Sequence, residues 1–253
     1  MKNLTAIMLI GNMFFSTAIT AGAQKSCAGS ESVTVHLKSW DFPVQRVRNA
    51  VLFRAGMQID ADGAPNAYGP RGKGLDSLAN AKRGDRFVGV ITSRDGTPIV
   101  QKRGVYKGFY VSPTSLYAAG GRESSPRTYV DARKIPYIAL PRGLAEQFGV
   151  KLGDLAVVIN QKNGRTAFAI YADSGPADKI GEGSIALANA LGVNSDPRHG
   201  GIQEEEIAYL LFPQSGLGQG KLRTARDIRH SAGKLFRQWG GRGRLKACLV
   251  ESR

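Results

Sequence analysis

Two apolar segments, residues 155–160 (LAVVIN) and 165–173 (RTAFAIYAD), are separated by four residues ending in Asn163-Gly164. Asn-Gly supplies the backbone geometry of a tight hairpin turn. The flanking residues are β-branched, aromatic or small, so the pair reads as two neighbouring antiparallel strands buried on both sides. A chain committed to that hairpin in its middle must build a sheet around it.

The surrounding sequence agrees. Residues 32–37 (SVTVHL) alternate. Residues 86–93 (RFVGVITS) run into an Arg94-Asp95-Gly96 turn followed by PIVQ. Residues 108–113 and 136–141 are bounded by Gly and Pro, and residues 206–213 (EIAYLLFP) are apolar enough for a buried strand. About eight strands are expected. Three helices accompany them. One spans residues 140–149 and ends at Gly149. One is capped by Ser184 and closed by Gly192. One starts at Thr224 with Asp227 placed three residues later as in a capping box. In this last helix Ile228, Ala232, Leu235, Phe236 and Trp239 share a face, which should pack on the sheet.

The first 23 residues are expected to lie outside the fold. A basic start at Lys2, an apolar run from Leu4 and small residues at 21–23 read as a secretory signal cleaved before Gln24. Asn12 interrupts the run and makes it short for a membrane span, so no transmembrane segment is expected after cleavage. The remaining residues 24–253 are expected to form a single domain. In an exported chain the only two cysteines, Cys27 and Cys248, pair by default as one disulfide; two unrelated buried thiols are the alternative.

Charge is the loudest feature of the composition, with 35 Lys and Arg against 20 Asp and Glu, a net +15. Such a surface is drawn to polyanions. Charge alone does not require a specific partner, and no nucleic acid is needed to account for it. A monomer is the default.

Several chemistries are excluded. There is no Gly-x-Ser-x-Gly and no His-Glu-x-x-His, and the three histidines stand at no ligand spacing. Neither GPRGKG nor GLGQGK has the phosphate-loop spacing, and a disulfide leaves no thiol nucleophile. No cofactor and no metal are expected. Carboxylates remain. Asp173 ends a strand on the parity of Ala167, Ala169 and Tyr171, so small residues could floor a groove that Tyr171 walls. Glu182 sits in Gly181-Glu182-Gly183, just before the Ser184 cap. Two carboxylates at the ends of neighbouring elements suit glycoside hydrolysis. Spacing alone favours the structural alternative, in which Asp173 caps a turn and Glu182 favours a helix N-terminus. A third acidic spot holds Asp60 and Asp62 with Asn66. It could bind Ca²⁺, line a sugar subsite or form an Asx turn, and no bidentate Glu follows at EF-hand spacing. Residues 61–82, rich in Gly, Ala and Asn, read as a long ordered loop of the kind that carries function.

MQIDADGAPNAYGP, RTYVDARKIPYIALP, GVKLGDLAVVIN, AIYADSGPADKIGEGSIALANALG and EIAYLLFPQSG follow one another in this order. Together they resemble glycoside hydrolase family 75, the chitosanase family, and its bacterial relatives, over Phe53 to Trp239. The resemblance implies a mostly β (α+β) fold with a double-psi β-barrel-like core and a few short helices. It implies a secreted endo-glycosidase that cuts β-1,4 links in a glucosamine polymer by inversion, with Asp173 and Glu182 as the acid–base pair. Asp60 and Asp62 would accept hydrogen bonds from substrate amino or hydroxyl groups. Glu182 is assigned as the acid and Asp173 as the base. The exchanged assignment stays open, because a helix N-terminus would lower the pKa of Glu182. The fungal members carry a longer loop between the two acids. Chitosan is a polycation and this chain is basic, so anionic peptidoglycan is the alternative substrate, and a non-catalytic wall- or glycan-binding protein is the alternative of a different class.

Overall fold

The structure, a computed structural model, describes residues 27–38 and 40–251. The expected signal peptide lies outside the described residues.

The strands are β1 (Ser30–Leu37), β2 (Trp40–Val47), β3 (Ala50–Asp60), β4 (Lys82–Arg83), β5 (Arg86–Phe87), β6 (Tyr137–Leu140), β7 (Leu155–Asn160), β8 (Thr166–Ser174), β9 (Glu182–Ser184) and β10 (Ile202–Phe212). The α-helices are α1 (Arg142–Gln147), α2 (Ile185–Leu191), α3 (Ala225–Trp239) and α4 (Gly241–Glu251). Eight strands form one sheet in the order β1-β2-β3-β10-β7-β8-β6-β9, and β9 pairs back onto β3. The last six therefore close into a barrel, with β1 and β2 as a hairpin attached through β3. Closure leaves those six strands without a free edge. Most pairings are antiparallel, whereas β3–β9 and β6–β8 are parallel.

The barrel interior is filled by alternate residues of each strand: Phe53, Ala55 and Met57 from β3, Ala156 and Val158 from β7, Ala167, Ala169 and Tyr171 from β8, and Ile207, Tyr209 and Leu211 from β10. The opposite parity is covered too. Val157, Ile159, Leu210 and Phe212 lie under Phe236 and Trp239 of α3. Burial on both faces explains why β7 reads as an unbroken apolar run. The α3 stripe packs as expected, its capping box is formed, and the Trp239 indole donates to the Val47 carbonyl. The Ser184 cap accepts from Leu187 N–H, and Gly192 closes α2 in the left-handed conformation.

The structure departs from the sequence reading in four places. Trp40–Val47 and Ala50–Asp60 are strands that alternation did not reveal, because Pro43, Arg54 and Gly56 interrupt it. The expected strand over residues 86–93 shrinks to Arg86–Phe87, and the segments after it make only isolated bridges, such as Val100 with Tyr110. Glu182–Ser184, read as a loop before a cap, is a strand inserted between β3 and β6. Finally, α4 opens on two Gly-Arg pairs that give it no apolar period; it is held by burial of Leu245 and by the Cys27–Cys248 disulfide, which ties the two ends of the described chain together.

Segment 61–135 forms a second layer over one side of the barrel. Ala61, Ala64, Ala67 and Tyr68 pack there against Tyr137, Ile170 and Ala172, the outward residues of β6 and β8. The long loop of residues 61–82 is internally bonded, with Leu75 N–H to the Asn66 carbonyl and Asp76 N–H to Ala67. Arg198 clamps it from outside through the carbonyls of Gly74 and Leu75.

Candidate active site

Ala139 of β6 pairs with Asp173 of β8 on one side and with Glu182 of β9 on the other. Glu182 in turn faces Gln58 of β3, and Asp60 follows two residues on. One row across four strands therefore carries Asp173, Ala139, Glu182 and Gln58, and Asp60 sits in the next row of the same face. Strands lie about 4.8 Å apart, so the backbones bearing Asp173 and Glu182 are separated by about 9.5 Å.

This face is the outer one, which corrects an expectation. Asp173 does not share a face with Tyr171, because the β6–β8 register shifts between Ile138 and Ala139 and passes over Ala172. A one-residue slip exchanges the faces of everything beyond it. Tyr171 consequently points into the barrel cluster, while Asp173 opens onto a cleft of about 580 Å³ that it lines with Asp60, Asp62, Asp76 and Glu182. Asn66 lines a neighbouring hollow and accepts from Arg133.

Each acid is held differently. Asp173 Oδ1 accepts from the Ser115 hydroxyl at 2.7 Å, the Ser115 N–H at 3.0 Å and the Ser174 N–H at 2.7 Å. Burial nevertheless raises its pKa against those donors. Asp60 Oδ1 accepts from Asp62 N–H at 2.8 Å, the Asx turn that the Asp-Ala-Asp-Gly spacing allowed. Asp62 accepts from Ser112, and its carbonyl accepts from the buried Tyr137 hydroxyl. Gly63 completes that turn with φ +76°, and a Cβ there would meet the Val130 carbonyl oxygen at 2.0 Å, so both conformation and space demand glycine.

Oxygens of Asp60, Asp62 and Asp173 all lie within 4.8 Å of one another. Burial first, and then this mutual repulsion, raise the pKa values of Asp60 and Asp62. Glu182 is raised to about 7 by burial, with the Asp173 charge second. The helix-terminus objection to a proton on Glu182 is thus outweighed: Glu182 lies in a strand two residues before the α2 cap, in an environment that costs a carboxylate more than the short helix returns.

A stability prediction follows. Glu182 keeps its proton in the fold up to about pH 7, whereas the unfolded chain releases it near 4.5. Between those values the unfolded state binds fewer protons, so stability falls as pH rises through this window. Asp60, Asp62 and Asp173 act in the same direction. Thermal unfolding followed from pH 4 to 8 should show this decline, and a Glu182→Gln variant a shallower one. Equal slopes for the two proteins would contradict the assignment of the proton.

Sequence reasoning missed Asp76, Ser115 and Gly175. Asp76 lay inside the loop singled out as functional, and Ser115 had no signal at all. Gly175 has a steric role: a Cβ there would lie 2.5 Å from Glu182 Oε2. Because the obstructed atom ends a flexible side chain, Gly175→Ala should leave the melting temperature nearly unchanged. It should displace the Glu182 carboxyl and lower turnover by about 10- to 100-fold. A Gly175→Ala protein with full turnover would show that Glu182 need not occupy its present position.

Residues 57–235, more than half of the chain, match the family model described as fungal chitosanase of glycosyl hydrolase group 75. That span contains every acid of the cleft. No curated protein matches the chain.

Proposed function

Because the chain belongs to the chitosanase family of glycosyl hydrolase group 75, we propose that it hydrolyses β-1,4 links within a glucosamine-containing polysaccharide by an inverting, two-carboxylate mechanism. Glu182 gives its proton to the leaving glycosidic oxygen. Asp173, ionised and held by Ser115 and Ser174, takes a proton from the water that attacks the anomeric carbon from the opposite face. The observation that carries this reading is the row in which both acids flank Ala139. The two acids stand on strands on either side of Ala139, with backbones about 9.5 Å apart, so their side chains can approach a bound sugar from two sides. A Glu182 pKa of about 7 suits an acid, and the three donors to Asp173 suit a base. We read the barrel as double-psi, on the strength of its two parallel pairings within an otherwise antiparallel closure.

Asp60, Asp62 and Asp76 also resolve the charge paradox locally. A basic protein repels chitosan at long range, but salt screens that repulsion beyond about 10 Å. Inside the cleft the acids offer acceptors for the ammonium groups of glucosamine, and those cations relieve their mutual repulsion. Tyr171 supports the wall behind Asp173 from within the barrel, and Asn66 braces Arg133 beside the cleft. The disulfide supports an oxidising compartment, so we take the protein to be secreted or periplasmic, with residues 24–253 as one monomeric domain after signal removal. No helix among the described residues is long and apolar enough to cross a membrane.

The net charge of +15 favours a second reading of the same site, with anionic peptidoglycan as substrate. Reducing-end release from chitosan and from purified peptidoglycan, measured in parallel, decides between them. Release from chitosan alone supports the first reading, release from peptidoglycan alone replaces it with the second, and release from neither leaves a glycan-binding protein.

A further inference from the structure

The cleft gathers acids in a chain that is strongly basic, so the positive charge stands elsewhere. Residues 221–250 carry nine Lys and Arg and one acid, Asp227, with Glu251 closing α4 behind them. More than half of the net charge of +15 therefore sits on α3, α4 and the short approach to them.

That charge is ordered. Arg226, Lys234 and Arg237 stand at steps of eight and three, so they share one stripe of α3 about 16 Å long, with Arg229 beside it. All four are exposed, while Ile228, Ala232, Phe236 and Trp239 bury the other face. Exposed Arg242 and Lys246 carry the charge onto α4. Asp227 does not neutralise it, because its carboxylate is turned to the helix cap and accepts from the Thr224 hydroxyl at 2.7 Å. None of the ion pairs among the described residues uses a side chain of α3 or α4. Like charges one turn apart weaken a helix, and no local acid offsets them here. No residue of either helix lines the acidic cleft.

We propose that the exposed face of α3 and α4 is a docking surface for an anionic wall polymer with phosphodiester repeats, separate from the cleft. Arginine dominates the face, and its planar fork matches phosphate oxygens. The stripe exposes no apolar side chain to enter a bilayer and no aromatic ring to stack on a base. The choice of a wall polymer uses the oxidising compartment that the disulfide supports, and does not use the glycosidase reading. Chitosan, a polycation, gathers on the same polyanion, so docking there would bring the cleft to its substrate.

The test measures binding of the wild-type protein and an Arg226→Gln/Lys234→Gln/Arg237→Gln variant to polyglycerol phosphate, duplex DNA and phosphatidylglycerol vesicles. Wild-type affinity for polyglycerol phosphate should fall about 50-fold between about 50 and 200 mM salt, as for four neutralised phosphates. The variant should bind at least about tenfold more weakly at the lower salt, with a shallower salt slope. Its melting temperature and its kcat/KM on short glucosamine oligomers should match the wild type. Equal binding by the two proteins would overturn the docking surface, and tighter binding to DNA or to vesicles would overturn its assigned partner. Because binding is read without turnover, absence of hydrolysis would sink the glycosidase reading alone.

Discussion

Glu182→Gln should abolish measurable hydrolysis, lowering turnover by about 10³- to 10⁴-fold while the protein stays folded. The amide keeps the shape of the protonated carboxyl but has no proton of suitable acidity for the leaving oxygen. The fold should tolerate it well. Glu182 is raised to about 7 because burial and the Asp173 charge both oppose its ionised form. A neutral side chain removes a repelling charge from a cleft that already holds four other acids. The melting temperature near neutral pH should therefore be unchanged or higher, which separates loss of chemistry from loss of structure. Asp173→Asn should also eliminate turnover, by removing the base. There the amide must replace an acceptor of three hydrogen bonds, so some destabilisation is expected as well. The assay is reducing-end release from chitosan alongside a thermal scan. Either variant turning over near the wild-type rate would sink the acid–base assignment.

Loss of the Cys27–Cys248 disulfide should cost the most stability of any single covalent change. The bond closes a loop with a sequence separation of 221 residues. In the chain-entropy model a loop of that length contributes about 5 kcal/mol, an upper figure because unfolded chains are not fully expanded. For a domain of this size that corresponds to a fall of roughly 10–20 °C in melting temperature. The structure also indicates where loss begins. Cys27, Cys248 and Leu245 share one cluster with Phe236 and Trp239 of α3, outside the barrel interior, so α4 should detach before the barrel opens. Denaturant unfolding of the oxidised protein, the reduced protein and a Cys27→Ala/Cys248→Ala variant measures the effect. Coincident midpoints would mean that packing alone holds the two ends.

The sequence carried the elements whose local signals agree with their environment. The β7–β8 hairpin was legible because Asn163-Gly164 sets its turn and both faces are buried. The ends of α2 and α3 were legible because Ser184, Gly192, Thr224 and Asp227 act within one turn of their own helices. The family was legible from ordered blocks spread over most of the chain. The long strand β3 was not, since Arg54 and Gly56 answer to β10 rather than to their neighbours in sequence. The short strand β9 was not, since three residues have no period, and only pairing to β3 and β6 makes Glu182 part of a sheet.

The acids show the same division. Asp173, Glu182, Asp60 and Asp62 could be named from residue type and motif. Which face they share could not, because alternation along residues 165–173 placed Asp173 with Tyr171, and a register shift against β6 put it on the other side. The high pKa of Glu182, the donors from Ser115 and the space left by Gly175 arise between segments far apart in the chain. Sequence by itself determined the strand-rich architecture, the helix caps, the net charge and the chemical kinds available to the site. Tertiary structure alone decided the closed barrel, the row that sets two carboxyls on either side of Ala139, and the burial that keeps a proton on one of them. Caps and turns depend on groups within a few residues of one another, whereas pairing register and desolvation depend on what the rest of the chain brings alongside.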